Sequence, residues 1–242
     1  MISRASKFKL FNRGFQKTII LIPGWASDYR IFNTLDLNYN YLLPVEFYPF
    51  NFERDLRGIL DRESIDKISL FGWSMGGFLA SHFASKNTDR VDELILVSVQ
   101  KKFKPQLLQD IKLKLKQNKR AFLYKLYFNC FSKEDEEGLS WFKGHLLMSY
   151  IDELKLEDLL CGLDYLSVTQ INPESLAGIK RIRIFHGQDD KIASLDEAHQ
   201  IKLELSQAEF ICLSGLGHNP FLNQQFKKKF LPSKGTLNNP IC

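Results

Sequence analysis

Gly72-Trp73-Ser74-Met75-Gly76-Gly77 follows directly on an apolar run, Lys67 to Phe71, and opens a helix-like segment, Met75 to Lys86. A G-x-S-x-G turn in that setting puts serine on a tight strand-to-helix bend, where the residues two positions to either side must be almost without side chain. Gly72 and Gly76 meet that demand, and Gly77 lets the helix lie close to a sheet. The Ser74 hydroxyl is then expected to stand clear at the C-terminal edge of the sheet. The N-terminus of the helix behind it offers N–H groups and positive dipole to a developing oxyanion. The strand–turn–helix context, more than the pattern itself, separates this from an ordinary glycine-rich turn.

On either side of this turn, short and nearly unbroken apolar runs recur at Thr18 to Ile22, Leu42 to Tyr48, Lys67 to Phe71, Glu93 to Ser98, Arg181 to Phe185 and Glu209 to Leu213. Runs of this kind are expected of strands covered on both faces. Helix-like segments lie between them: Tyr29 to Leu35, Phe52 to Leu60, Met75 to Lys86, Leu195 to Leu205 and Phe221 to Phe230. The alternation predicts an α/β fold with a mostly parallel central sheet flanked by helices. It breaks between residues 101 and 175, where Leu107, Ile111 and Leu115 recur every four residues and no convincing strand stands. That stretch reads as a helical cap (lid) inserted in a core made of residues 1–100 and 176–242. Ile111 to Lys116 also alternates with period two, and its helical flanks favour helix. The polar tail from Pro232 to Cys242 is expected to fray.

Serine is a weak nucleophile without a base. Among five histidines, only His218 stands on a glycine-flanked loop beyond a strand, in Gly215-Leu216-Gly217-His218-Asn219-Pro220. His82, His145 and His199 fall in helix-like segments, and His186 reads as a turn residue. The turn His186-Gly187-Gln188-Asp189-Asp190 presents two adjacent carboxylates; one can orient the base and the other caps the turn. No acid follows the strand ending at Ser98, so the chain order of the candidates is Ser, Asp, His. The oxyanion donors are expected to be the backbone N–H groups of Met75 and of Trp25, which follows the first clear strand in Leu21-Ile22-Pro23-Gly24-Trp25. There is no Walker A, no G-x-G-x-x-G after a strand and no H-E-x-x-H.

The chain of 242 residues suffices for a full core, and 44% hydrophobic with 25% charged residues is an ordinary globular composition. A net charge of +5 is too small to argue for nucleic acid. Cys130, Cys161, Cys212 and Cys242 show no C-x-x-C pair or metal-ligand spacing, which argues against a disulfide framework or zinc site and suits a reducing compartment. The apolar run at Thr18 is far too short for a secretory or membrane-spanning segment. A cytoplasmic protein without metal or cofactor is the expectation. Most of the 20 phenylalanines are expected to be core.

Taken together, these residues resemble the α/β-hydrolase superfamily over nearly the whole chain, and within it the pimeloyl-acyl-carrier-protein methyl ester esterases of biotin synthesis. The resemblance rests on Pro23-Gly24-Trp25-Ala26, on Gly72 to Gly77, on Gly162-Leu163-Asp164-Tyr165-Leu166 leading to Ile184 to Asp190, and on Gly217-His218-Asn219-Pro220-Phe221. It implies a serine carboxylesterase with Ser74 as nucleophile, His218 as base and Asp190, the fourth residue of G-x-x-D, as the acid. It also implies a long acyl chain under a helical cap, with Phe122, Phe128 and Trp141 as candidate pocket residues; the short N-terminal segment departs from the family, and the opening hairpin is expected to be trimmed. Lys101 to Lys125 is basic, with Asp110 its single acid. It reads either as a solvated helix face or, as the resemblance implies, as a dock for acidic acyl carrier protein through Lys112, Lys116 and Arg120, at i, i+4 spacing. Short-chain esterase, thioesterase and a non-catalytic hydrolase-fold binding protein stay open as alternatives.

Overall fold

Each apolar run becomes a strand of one sheet in the computed structural model, which describes residues 4–231. The strands are β1 (Lys7–Phe11), β2 (Thr18–Ile22), β3 (Asn40–Glu46), β4 (Ile68–Trp73), β5 (Val91–Val97), β6 (Ile182–Gly187) and β7 (Ala208–Leu213). Their spatial order is β1-β3-β2-β4-β5-β6-β7. All pairs are parallel except β1 with β3. β4 is buried along its whole length, as a central strand covered on both faces must be.

The strand that sequence patterning missed is β1. Its residues alternate between exposed and half-buried, and Lys7 and Lys9 stand on its exposed face. An edge strand carrying lysines blunts pairing with other chains and loses the apolar signature of the interior.

The helices are α1 (Phe52–Arg62), α2 (Met75–Lys86), α3 (Pro105–Asn129), α4 (Glu136–His145), α5 (Leu147–Glu153), α6 (Leu156–Val168), α7 (Leu195–Glu204) and α8 (Gln224–Phe230). Four of them, α3 to α6, occupy the chain between β5 and β6. The Ile111 to Lys116 ambiguity resolves as helix, because Leu108, Leu115, Leu123 and Tyr127 give α3 a buried stripe. Asn118 leaves helical geometry (φ −157°, ψ 89°), and its side-chain oxygen accepts the Ala121 N–H at 3.0 Å. That is an N-cap restarting the helix after a kink. The expected helix Tyr29 to Leu35 is only a 3-10 turn, Tyr29–Phe32, capped by Asp28. The expected helix Phe221 to Phe230 divides into a 3-10 turn, Pro220–Leu222, and α8, whose cap is Asn223. The Pro232 to Cys242 tail lies outside the described residues.

Phenylalanine packs the interior as expected. Phe71, Phe185, Phe221, Phe226 and Phe230 form one cluster between the sheet and α8, with ring centroids 4.7 to 6.5 Å apart. Beneath it Arg183 donates to the buried Glu93 at 2.7 Å and lies 4.4 Å from the Phe230 ring, so the charge in this region is paired and stacked. No helix among the described residues is long and apolar enough to cross a membrane. Cys130 and Cys161 are free thiols and Cys212 is not, so the expectation of unpaired cysteines holds for those two alone.

Candidate active site

β4 ends at Trp73 and α2 begins at Met75, leaving Ser74 alone at the bend with φ 52° and ψ −119°. For a residue with a side chain this left-handed conformation costs about 1–3 kcal/mol, and it persists only where the surroundings hold it. Ser74 N–H donates to Val97 O and its carbonyl accepts from Gly77 N–H, both at 2.9 Å. The glycines are obligatory for a measurable reason. A Cβ on Gly76 would lie 2.1 Å from Ile22 O, and one on Gly72 would lie 2.4 Å from Gly76 O. The elbow therefore packs directly against the loop that follows β2.

His218 is held on three sides. Its N–H donates to Cys130 O at 2.8 Å. Its carbonyl accepts from the Trp73 indole at 2.8 Å. Its Nδ1 lies 2.8 Å from Asp190 Oδ2, and the residue is 3% exposed. The Asp190 side chain is wholly buried. Its Oδ1 accepts the Ile192 and Ala193 N–H groups at 2.8 and 3.0 Å. Burial pushes the Asp190 carboxyl pKa up. The His218 charge and hydrogen bond, aided by His186 and the Ala193 N–H, outweigh burial and hold it below the usual carboxylate range. With the Asp190 carboxylate on Nδ1, the opposite ring nitrogen of His218 is the one left for proton transfer. Asp190, rather than Asp189, both meets the histidine and caps its own turn; the exposed Asp189 side chain makes no hydrogen bond among the described residues. Sequence patterning had given the capping to the other carboxylate, Asp189.

Ser74 and His218 line the same cavity, which holds about 900 Å³ of space counted to its open mouth. No hydrogen bond joins their side chains here; such contacts often tighten only in the substrate complex. The oxyanion candidates have N–H groups free to donate. Trp25 N–H has no hydrogen-bond partner among the described residues, and Met75 N–H, at the first position of α2, has no preceding turn to pair with.

The cavity walls are apolar and come largely from the helices between β5 and β6: Leu108, Leu126 and Tyr127 of α3, Phe142 of α4, Tyr150 of α5 and Leu163 of α6. The expected pocket residues Phe122, Phe128 and Trp141 are not among its lining. Phe122 packs edge-on to Trp25, Phe128 on Tyr124, and Trp141 stacks on His145. Helical phase is the reason: Tyr127 and Phe142, one residue away from Phe128 and Trp141, take the inward positions.

The basic stretch also differs from the simple expectation. Lys112 is ion-paired with Asp164 and Arg120 with Asp152, and the Asn118 kink separates Lys116 from Arg120. Lys116 alone of the three is exposed without an ion pair among the described residues. The three cations thus do not form one free face.

One buried neighbour of Asp190 escaped sequence patterning. His186, read as a turn residue, is completely buried, with Nε2 3.3 Å from Ala193 O and 3.4 Å from Asp190 Oδ2. Burial lowers its pKa and keeps it neutral, and the Ala193 carbonyl selects the tautomer with hydrogen on Nε2. The i, i+4 spacing to Asp190 was the available signal. His82 and His145 are exposed and His199 packs on Phe210. No group of three His, Cys, Asp or Glu residues among the described residues could hold a metal ion.

The family model for the alpha/beta hydrolase fold matches residues 12–225. A pimeloyl-[acyl-carrier protein] methyl ester esterase of Nitrosomonas europaea is 25% identical over 177 residues, covering 68% of this chain and 69% of that one. A 2-hydroxy-6-oxononadienedioate/2-hydroxy-6-oxononatrienedioate hydrolase of Paraburkholderia phymatum is 26% identical over 229 residues, covering 86% and 71%. Among solved structures, an esterase from Exiguobacterium antarcticum superposes with a TM-score of 0.76 at 17% identity, over 93% of this chain and 92% of that one. With the sheet order, the serine elbow and the match over most of its length, this chain belongs to the alpha/beta hydrolase fold family.

Proposed function

We propose that this protein is a serine carboxylesterase that works through an acyl-enzyme, with Ser74 as nucleophile, His218 as general base and Asp190 as the orienting acid. The observation that carries the reading is the buried 2.8 Å contact between His218 Nδ1 and Asp190 Oδ2, opening on the same apolar cavity as a serine strained into left-handed geometry. His218 takes the Ser74 proton as Ser74 attacks the ester carbonyl. The Trp25 and Met75 N–H groups receive the oxyanion. His218 gives the proton to the leaving alcohol, and water releases the acid by the same route.

The acyl group that suits this cavity is an uncharged aliphatic chain lying under the helical cap, residues 101–175. Lys191 is the single lysine or arginine among the lining residues, and no acidic residue lines the cavity. A dioate, as named for the Paraburkholderia relative, would have Lys191 alone to pair with its far carboxylate, whereas an ester of a carrier-bound acyl chain, as named for the Nitrosomonas relative, needs no cation. We therefore favour pimeloyl-[acyl-carrier protein] methyl ester as substrate, acting in biotin synthesis in the cytoplasm. Docking of an acidic carrier would fall to exposed cations such as Lys116.

Labelling by a fluorophosphonate probe, abolished in Ser74→Ala, tests the nucleophile. Restored growth of a biotin-requiring strain that lacks its own pimeloyl esterase tests the substrate. An unlabelled wild-type protein overturns the enzyme reading. Good turnover of simple esters without complementation moves the assignment to a general esterase.

A further inference from the structure

The loop Gly24 to Asp28, which carries the oxyanion donor Trp25, is bound to three separate helices of the segment between β5 and β6. The Trp25 indole donates to Leu159 O of α6 at 2.8 Å. The Tyr127 hydroxyl of α3 donates to Ala26 O at 2.8 Å. The Tyr150 hydroxyl of α5 donates to Asp28 O at 3.2 Å. Arg30, just past the loop, bonds Asp28, Ser149 and Glu153, tying the same region to α5 again.

The loop has reason to need holding. Ala26, the residue after Trp25, has φ 59°, a conformation that a residue with a Cβ leaves unless its surroundings over-determine it. Relaxation of Ala26 would rotate the peptide planes on either side of it and, through the Trp25 Cα, shift the neighbouring Gly24–Trp25 plane that carries the Trp25 N–H. The Ala26 carbonyl is the atom that Tyr127 grips. Tyr127 is 6% exposed, and its ring forms part of the cavity wall. One side chain therefore meets both the cavity and the strained loop.

We infer that Tyr127 is a positioning residue for the oxyanion site: its hydroxyl, by holding Ala26 O, fixes the Trp25 N–H, so the helical segment that walls the cavity also sets the oxyanion geometry. The inference rests on the serine-esterase reading above. It makes displacement of these helices a way of switching the site off, because opening them would release the donor loop at Leu159, Tyr127 and Tyr150 together.

Tyr127→Phe keeps the ring in the cavity wall and deletes the one hydroxyl. Deleting an oxyanion donor outright costs about 10²–10³ in kcat, and loosening one should cost about tenfold. On one aliphatic ester, kcat is expected to fall about tenfold with KM little changed. A trifluoromethyl ketone of the same chain length, which adds to Ser74 and forms an oxyanion, should lose affinity by the same factor. The matching alkane, which fills the cavity and forms no oxyanion, should bind as before. Unchanged kcat and ketone affinity, or an equal loss for both ligands, would overturn the inference. Should Tyr127→Phe fail to fold, Tyr127→Leu, which also lacks the hydroxyl, takes its place, read as the ratio of ketone to alkane affinity: a fall of about tenfold is expected, and an unchanged ratio overturns the inference. If wild-type protein is neither labelled by fluorophosphonate nor bound covalently by the ketone, the esterase reading itself falls and takes this inference with it.

Discussion

Asp190→Asn should be close to silent in fold and close to lethal in activity, and the hydrogen bonds around the carboxylate say why. Asp190 Oδ1 accepts two backbone N–H groups, from Ile192 and Ala193. An asparagine in the same place must put its carbonyl oxygen there, because an amide NH₂ facing the two backbone N–H groups would leave both of them, and its own hydrogens aimed at them, without an acceptor. Its NH₂ is then forced onto the side that faces His218 Nδ1, now 2.8 Å from Oδ2. Only a lone pair on Nδ1 can accept from it, so the ring proton moves to Nε2, and the nitrogen that should receive the Ser74 proton already carries one. Loss of the correct tautomer, together with the carboxylate charge that stabilises imidazolium, is worth about 10⁴ in kcat. That corresponds to about 5 kcal/mol of transition-state stabilisation. The assay is kcat/KM on a p-nitrophenyl ester of an aliphatic acid, with thermal unfolding to verify the fold and Asp189→Asn as control. An Asp190→Asn enzyme that keeps more than a tenth of its activity, or an Asp189→Asn enzyme that loses more, would rule out Asp190 as the residue that sets the tautomer.

The other expectations concern two buried groups near this centre. His186→Leu removes the buried ring nitrogen 3.4 Å from Asp190 Oδ2, one of the groups that hold the Asp190 carboxyl pKa down. On the same ester, kcat/KM should fall about threefold; His186→Gln should restore it, and unchanged turnover would leave His186 without influence on the site. Asp135, buried at the start of α4 against the turn that follows His218, has its carboxyl pushed up to about 6, first by burial. A raised folded-state value means that its contribution to stability is complete below the ordinary value of 3.8 and is lost as pH rises through 6. Asp135→Asn should therefore stabilise at pH 7.5 relative to pH 4, on the order of 2 kcal/mol, as read by urea unfolding at the two pH values; equal effects at both would refute it.

Much of the fold could be read from local pattern, since backbone conformation leaves a local mark. A wholly buried parallel strand such as β4 must be an apolar run, and a serine at φ 52° between a strand and a helix must have glycines at 72 and 76. The histidine loop and the acidic turn were legible for the same reason, as glycine-rich breaks beyond strand ends. β1 was not, because an edge strand half in water need not be apolar.

Which side chains meet is a matter of tertiary packing alone. Whether Phe128 or Tyr127 reaches the cavity is a 100° rotation on one helix, below what periodicity resolves. Lys112 and Arg120 look like free cations in the chain and are neutralised by Asp164 and Asp152, 52 and 32 positions away. His186 becomes a partner of Asp190 only when β6 is buried on both faces. Local chemistry fixes the shape of each segment, and partners distant in sequence are fixed only by how those segments close on one another.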